Sequence, residues 1–196
     1  MDIASIPGYH KEERFIDLYK ANVFALFLFI PVILLYTLPF YLIWGRQDGP
    51  FVFMIDMLEI TSITSVLIGI LVVILGIIAH ELIHGITWVC YTKKGFKSIK
   101  FGVLMKMLTP YCHCKEPLLV RQYIIGALMP FIILGLIPAI YAWYSGNVNI
   151  LLFAIFFTVS AAGDFMIVQL IWREDMRNLV LDHPSEAGCF IYKKDE

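Results

Sequence analysis

Charge is what this chain of 196 residues has least of. Only 16% of its residues are Asp, Glu, Lys or Arg, while 60% fall in the set AVILMFWYC; soluble domains carry about 25% charged residues. A soluble core of this size has too much surface for so few charges to cover. An ordinary cytosolic enzyme and a disordered tail are therefore excluded. Neither sign is in excess, with 15 Lys and Arg against 16 Asp and Glu and a net charge of −1, so no nucleic-acid partner is expected. Cysteine is sparse. Cys90, Cys112, Cys114 and Cys189 are the only four; one lies in an apolar stretch and the others in segments read below as cytosolic, so no disulfide framework is expected. The first 21 residues are polar and mixed in charge, without the short apolar run and small-residue site of a cleavable signal peptide. No repeat or low-complexity tract stands out.

What the chain does have is length in apolar runs, and its mean hydropathy is +0.79. A bilayer core needs roughly 20 apolar residues per helix, and four stretches qualify: 22–44, 60–92, 122–144 and 148–172. Pro31, Pro39, Pro130 and Pro138 are candidate kinks. The expected fold is an all-α membrane protein, one integral-membrane domain over 1–196 with four transmembrane helices. Basic residues before, between and after the four stretches number 3, 1, 7, 0 and 4. By the positive-inside rule, both termini and the 93–121 segment face the cytosol of a plasma-membrane protein. The segment 45–59 and the turn 145–147 then lie outside. Within 93–121, residues 97–108 alternate imperfectly as an amphipathic strand does, Thr109-Pro110 interrupts, and 111–115 returns. This reads as a small cytosolic-side β-hairpin, or as an interfacial loop, between the second and third spans.

A census of ionisable groups inside the spans narrows the chemistry. Of 16 acidic residues only Glu81 and Asp164 fall there, with no Lys or Arg and with two of the five histidines, His80 and His84. Ionisable groups in hydrocarbon are costly and mark functional sites. Three of the four form His80-Glu81-Leu82-Ile83-His84. On a helix, positions i and i+4 share a face about 5–6 Å apart at Cβ, so both imidazoles can reach one Zn²⁺. Glu81, one step round, is placed to hold an attacking water and take its proton. A catalytic zinc takes three protein ligands. Glu116 and His113 are candidates for the third, but Asp164 is preferred for its depth. His84 lies nine residues before Lys93 and Asp164 nine before Arg173, so at ~1.5 Å per residue both sit about 13 Å from their helix exits. Ala161, Ala162 and Gly163 permit close helix approach.

Two further groups stand near the site in sequence logic. Cys112-His113-Cys114 has poor spacing for a closed zinc site; it shapes the mouth of the site or is a packed loop. Asp182 and His183, before Pro184, either fold back to support a ligand histidine or make a simple turn. His113, Glu116, Asp182 and His183 are thus possible site-mouth or supporting residues.

HELIHG at 80–85, TPYCHCKEPL at 109–118, IIGALMPFIILG at 124–135, AAGD at 161–164 and VLDHPSEAG at 180–188 resemble the bacterial putative zincin membrane peptidases. The arrangement is also similar to the three-helix core of site-2-type intramembrane metalloproteases, although Gly163-Asp164 reverses their usual Asp-Gly order. The resemblance implies His80, His84 and Asp164 as ligands of one Zn²⁺ and Glu81 as the base. It implies a metalloprotease acting on membrane-embedded or membrane-associated proteins, at or within the cytosolic side of the bilayer. The alternatives are a non-proteolytic metal-site membrane protein, such as an immunity or chaperone-like factor, and a proton or metal transporter.

Overall fold

The computed structural model describes residues 8–45, 62–104, 109–184 and 186–194. Strand β1 (Tyr9–Phe15) leads into helix α1 (Leu18–Trp44), and helix α2 spans Ile63–Val89. A short 3₁₀ turn, Gly95–Ser98, precedes β2 (Ile99–Leu104), β3 (Thr109–Cys114) and β4 (Leu118–Leu119). Helix α3 (Val120–Pro130) continues through a π-helical stretch, Phe131–Leu136, into α4 (Ile137–Ser145). Helices α5 (Val148–Ser160) and α6 (Ala162–Ile171) follow, then β5 (Leu179–Asp182) and β6 (Gly188–Lys194).

Among the described residues, three stretches are long and apolar enough to cross a membrane: Val23–Trp44, Ile63–Val89 and Val120–Ser145. The expected fourth span is two helices, α5 and α6, bent by 42° and counting as one span only if the bend is accepted. The bend falls at Ala161, whose N–H turns to Val159 O rather than continuing the helical ladder. The π-helical widening begins right after Pro130, which lacks an N–H to donate; α1 runs through Pro31 and Pro39 as one helix. Only 17% of the apolar window in α1 and 11% of that in α2 is buried within the protein. Side chains such as Leu34, Leu35, Ile68 and Leu75 stand more than half exposed. So large an apolar surface is what a lipid solvent accommodates and water does not.

The chain divides into two compact units. One comprises Val23–His80 and Pro130–Ala162. Its core joins Val32, Tyr36 and Phe40 of α1 to Ala139 and Ala142 of α4 and to Leu151 and Ala154 of α5. The alanines let these helices approach closely. The Tyr36 hydroxyl shares a 3.0 Å hydrogen bond with Thr158 Oγ1, and Trp143 Nε1 donates to Tyr36 O at 2.8 Å.

The other unit comprises Met1–Asn22, Glu81–Met129 and Gly163–Glu196. Its four-stranded antiparallel sheet has the order β1-β6-β5-β4. This sheet corrects the all-α expectation. β1 reads YHKEERF, too polar to announce a strand, and its partner β6 lies at the far end of the chain, with Tyr9 opposite Lys194 and Phe15 opposite Gly188. β2 and β3 form a separate pair, from Ile99↔Cys114 to Leu104↔Thr109. Thr109 and Pro110, read from sequence as the interruption, lie in β3; residues 105–108, and all of the expected external segment 45–59 except Gly45, lie outside the described residues. Ile171, Val180 and Ile191 are fully buried with Trp88, Leu118 and Tyr123. Burying each such aliphatic side chain stabilises by roughly 1.5–3 kcal/mol. β2 packs on α2 at Gly85, where a Cβ would sit 2.7 Å from Phe101 Cζ, so a larger residue after the HExxH motif would have to displace that ring.

Candidate metal centre

His80, Glu81 and His84 sit in the C-terminal half of α2. The division between the units falls between His80 and Glu81 inside this unbroken helix, so helical geometry alone carries His80 to the face of His84. Both imidazoles are buried, 8% and 4% exposed. The His84 Nδ1–H donates to Gly126 O at 2.9 Å. A carbonyl can only accept, so Nδ1 carries a proton and Nε2 is the ring nitrogen left to serve a metal. Nε2 lies 3.2 Å from Asp164 Oδ1.

Asp164 owes its position to the break at Ala161, which restarts the helix as α6 and sets the carboxylate in its first turn; a negative charge is favoured there by the helix dipole. One donor atom each from His80, His84 and Asp164 lies within 4.8 Å of the other two. Two ligands about 2.0–2.1 Å from a tetrahedral zinc are themselves about 3.3 Å apart, close to the His84–Asp164 spacing. Two imidazole nitrogens and one carboxylate oxygen, with the second nitrogen of His84 anchored on a carbonyl, suit Zn²⁺.

A cavity of about 270 Å³ opens beside these groups, and Glu81, His84 and Asp164 all line it. Five consecutive residues of β3, from Thr109 to His113, line it as well. Side chains alternate between the two faces of a strand, so a run of five neighbours means that the cavity follows the strand's edge.

Residues 73–177 match the family described as putative zincin peptidase. This is more than half of the 196 residues. The chain belongs to this family. No curated protein and no solved structure matches it. For a zincin, the matched stretch runs from within α2 to just beyond α6 and ends before β5.

The zincin's remaining candidates part company. His113, Asp182 and His183 line the cavity, whereas Glu116 is not among its lining residues. Glu116 instead accepts the backbone N–H of Lys93 at 2.8 Å and of Lys94 at 3.2 Å, and the Ser98 hydroxyl at 2.5 Å. That clamp pulls its carboxyl below the usual range, the Ser98 hydroxyl first among the causes. Asp182 accepts the Cys114 N–H at 2.6 Å and the Tyr123 hydroxyl. Burial raises its carboxyl above the usual range against the pull of these donors. His113 Nδ1 lies 3.9 Å from Asp182 Oδ2; burial outweighs that carboxylate and holds the imidazole below its ordinary value. Cys112 lines the cavity and Cys114 is buried, its thiol pushed up to about 12 by burial. His183 turns the tail, its Nδ1 accepting the Glu186 N–H at 2.9 Å.

Three residues escaped sequence reasoning. The Trp88 indole stacks on His84, with centroids 5.3 Å apart and planes 16° from parallel, and on Tyr123 at 5.1 Å. Its Nε1–H donates to Tyr123 O at 3.2 Å. Gly126 supplies the carbonyl for His84 and the room for the indole. Trp88 stands at i+4 from His84, which is one available signal; Tyr123 and Gly126 carry none, being an aromatic and a small residue in an apolar run.

Proposed function

We propose that this zincin is a zinc-dependent membrane metalloprotease that hydrolyses peptide bonds of membrane-embedded or membrane-associated proteins on the cytosolic side, in the manner of site-2 proteases. The observation that carries this reading is the convergence of His80, His84 and Asp164 within 4.8 Å. Glu81 shares a cavity wall with His84 and Asp164. His80, His84 and Asp164 would hold the ion. Zinc bound there supplies Lewis acidity, polarising the scissile carbonyl and bringing the pKa of its water towards about 7.

The chain's own groups do the rest. Glu81 takes a proton from the attacking water on a carboxylate oxygen and returns it to the leaving amine. The Gly126 carbonyl fixes the tautomer of His84. An extended substrate pairs along the edge of β3; a helical substrate has to unwind first, because its own carbonyls are otherwise engaged. The apolar helices and the alternation of basic residues support a multi-pass protein of the plasma membrane with both termini in the cytosol.

The test is Glu81→Gln in purified full-length protein. The expected result is retained zinc and loss of proteolysis by about two to four orders of magnitude. Undiminished cleavage would remove Glu81 from its role. Asp164→Ala should lose zinc. Zinc flux into proteoliposomes without cleavage would favour the transporter reading instead.

A further inference from the structure

The tail beyond the family-matched region contributes to the site wall: Asp182, His183 and Gly188 line the cavity that holds Glu81, His84 and Asp164. Within that tail Asp182 is the unusual residue. Its neighbours in β5, Val180 and Leu181, are buried and apolar, and the Asp182 side chain is itself only 11% exposed. A buried carboxylate is a costly choice for a strand that needs only to pack. Both of its oxygens are used, and by different elements. One accepts the hydroxyl of Tyr123 from α3; the other accepts the N–H of Cys114 from β3.

Each partner leads to a different part of the site. From Tyr123 the contacts run through the ring stack with Trp88 to the ring of His84. One turn along α3, Gly126 O holds His84 Nδ1. From Cys114, β3 runs back along the cavity as residues 109–113. A single carboxylate therefore ties the helix that orients the metal-ligand histidine to the strand whose edge follows the cavity.

We propose that Asp182 is a positioning residue that couples occupancy of the zinc site to the seating of β3, with Tyr123 as the link. The inference rests on the zinc reading above and deepens it: the ion, once held by His84, steadies the edge on which substrate is laid. By linkage the effect is reciprocal, so a seated β3 tightens zinc.

Amide hydrogen exchange of the full chain in detergent, with and without zinc alone, reads this coupling without any activity. In the parent, zinc should slow exchange over 109–114, most of all at Cys114. Tyr123→Phe keeps the ring stack and removes only the hydroxyl. That variant should lose most of the zinc-dependent slowing, and its zinc affinity by chelator competition should fall about tenfold, the loss of one hydrogen bond to a charged acceptor. Asp182→Asn keeps an oxygen for the Cys114 N–H and an amide that can donate to the Tyr123 oxygen, and should recover part of the effect. Asp182→Ala should abolish it. If Tyr123→Phe speeds exchange alike with and without zinc and leaves affinity unchanged, Asp182 is a structural residue and the coupling is refuted. A parent that takes up no zinc overturns both this inference and the proposed function; a parent that binds zinc without protecting β3 overturns this inference alone.

Discussion

Gly126 offers the sharpest single perturbation of the site. An alanine Cβ built there lies 2.0 Å from Trp88 Nε1 and 2.2 Å from its Cδ1. Favourable contacts between such atoms begin near about 3.5 Å, so the indole would have to retreat by about 1.5 Å. It has little freedom to do so. It is held between the rings of His84 and Tyr123, and its N–H is bound to Tyr123 O at 3.2 Å. Retreat breaks that bond, worth about 1 kcal/mol net, and overpacking adds about 1–3 kcal/mol. Gly126→Ala should therefore destabilise the protein by about 2–4 kcal/mol. The displaced indole also disturbs the face of His84, and loss of ligand support of this kind weakens metal binding roughly 10–100-fold. Thermal unfolding in detergent and zinc competition with a chelator measure the two effects. A variant with the parent's Tm and zinc affinity within twofold would refute the account of how His84 is held.

Other outcomes follow from the same geometry. Gly163 also lines the cavity, but a Cβ there meets nothing within 4 Å. Gly163→Ala should leave zinc binding intact and raise stability by up to about 0.5–1 kcal/mol through helix propensity, read as an unchanged or higher Tm. Glu116→Gln should weaken the clamp on Lys93, Lys94 and Ser98, lowering stability by about 1–3 kcal/mol with zinc affinity unchanged. The folded-state pKa of Glu116 lies below its unfolded value. Its contribution is thus full above the unfolded value and disappears as pH falls through the folded one. Unfolding measured along the acid limb should show a shallower loss in Glu116→Gln than in the parent.

Local rules made part of this architecture legible. The spacing that sets His80 and His84 on one face is a property of any helix, and the charge-free runs around them need no tertiary information. The approach of Asp164 to His84 was readable through equal distances from two basic helix exits. What escaped notice was decided by partners remote in sequence. The strand YHKEERF shows no apolar alternation, because its register is set by β6 more than 170 residues later. The bend between α5 and α6 hides in a uniformly apolar stretch. Trp88, Tyr123 and Gly126 resemble ordinary packing residues, and only their mutual stacking and carbonyl contacts reveal what they support.

The strand order β1-β6-β5-β4 has a consequence for biosynthesis. β1 is translated first among the described strands, and its partner β6 last. The helices bearing His80, His84 and Asp164 leave the ribosome before β5 and β6, so a nascent polypeptide carries these three side chains while Asp182 and the wall behind it are still to be made. Closing so long a loop is slow. The stretch of cavity wall supplied by Asp182, His183 and Gly188 is therefore complete only after the tail has been translated.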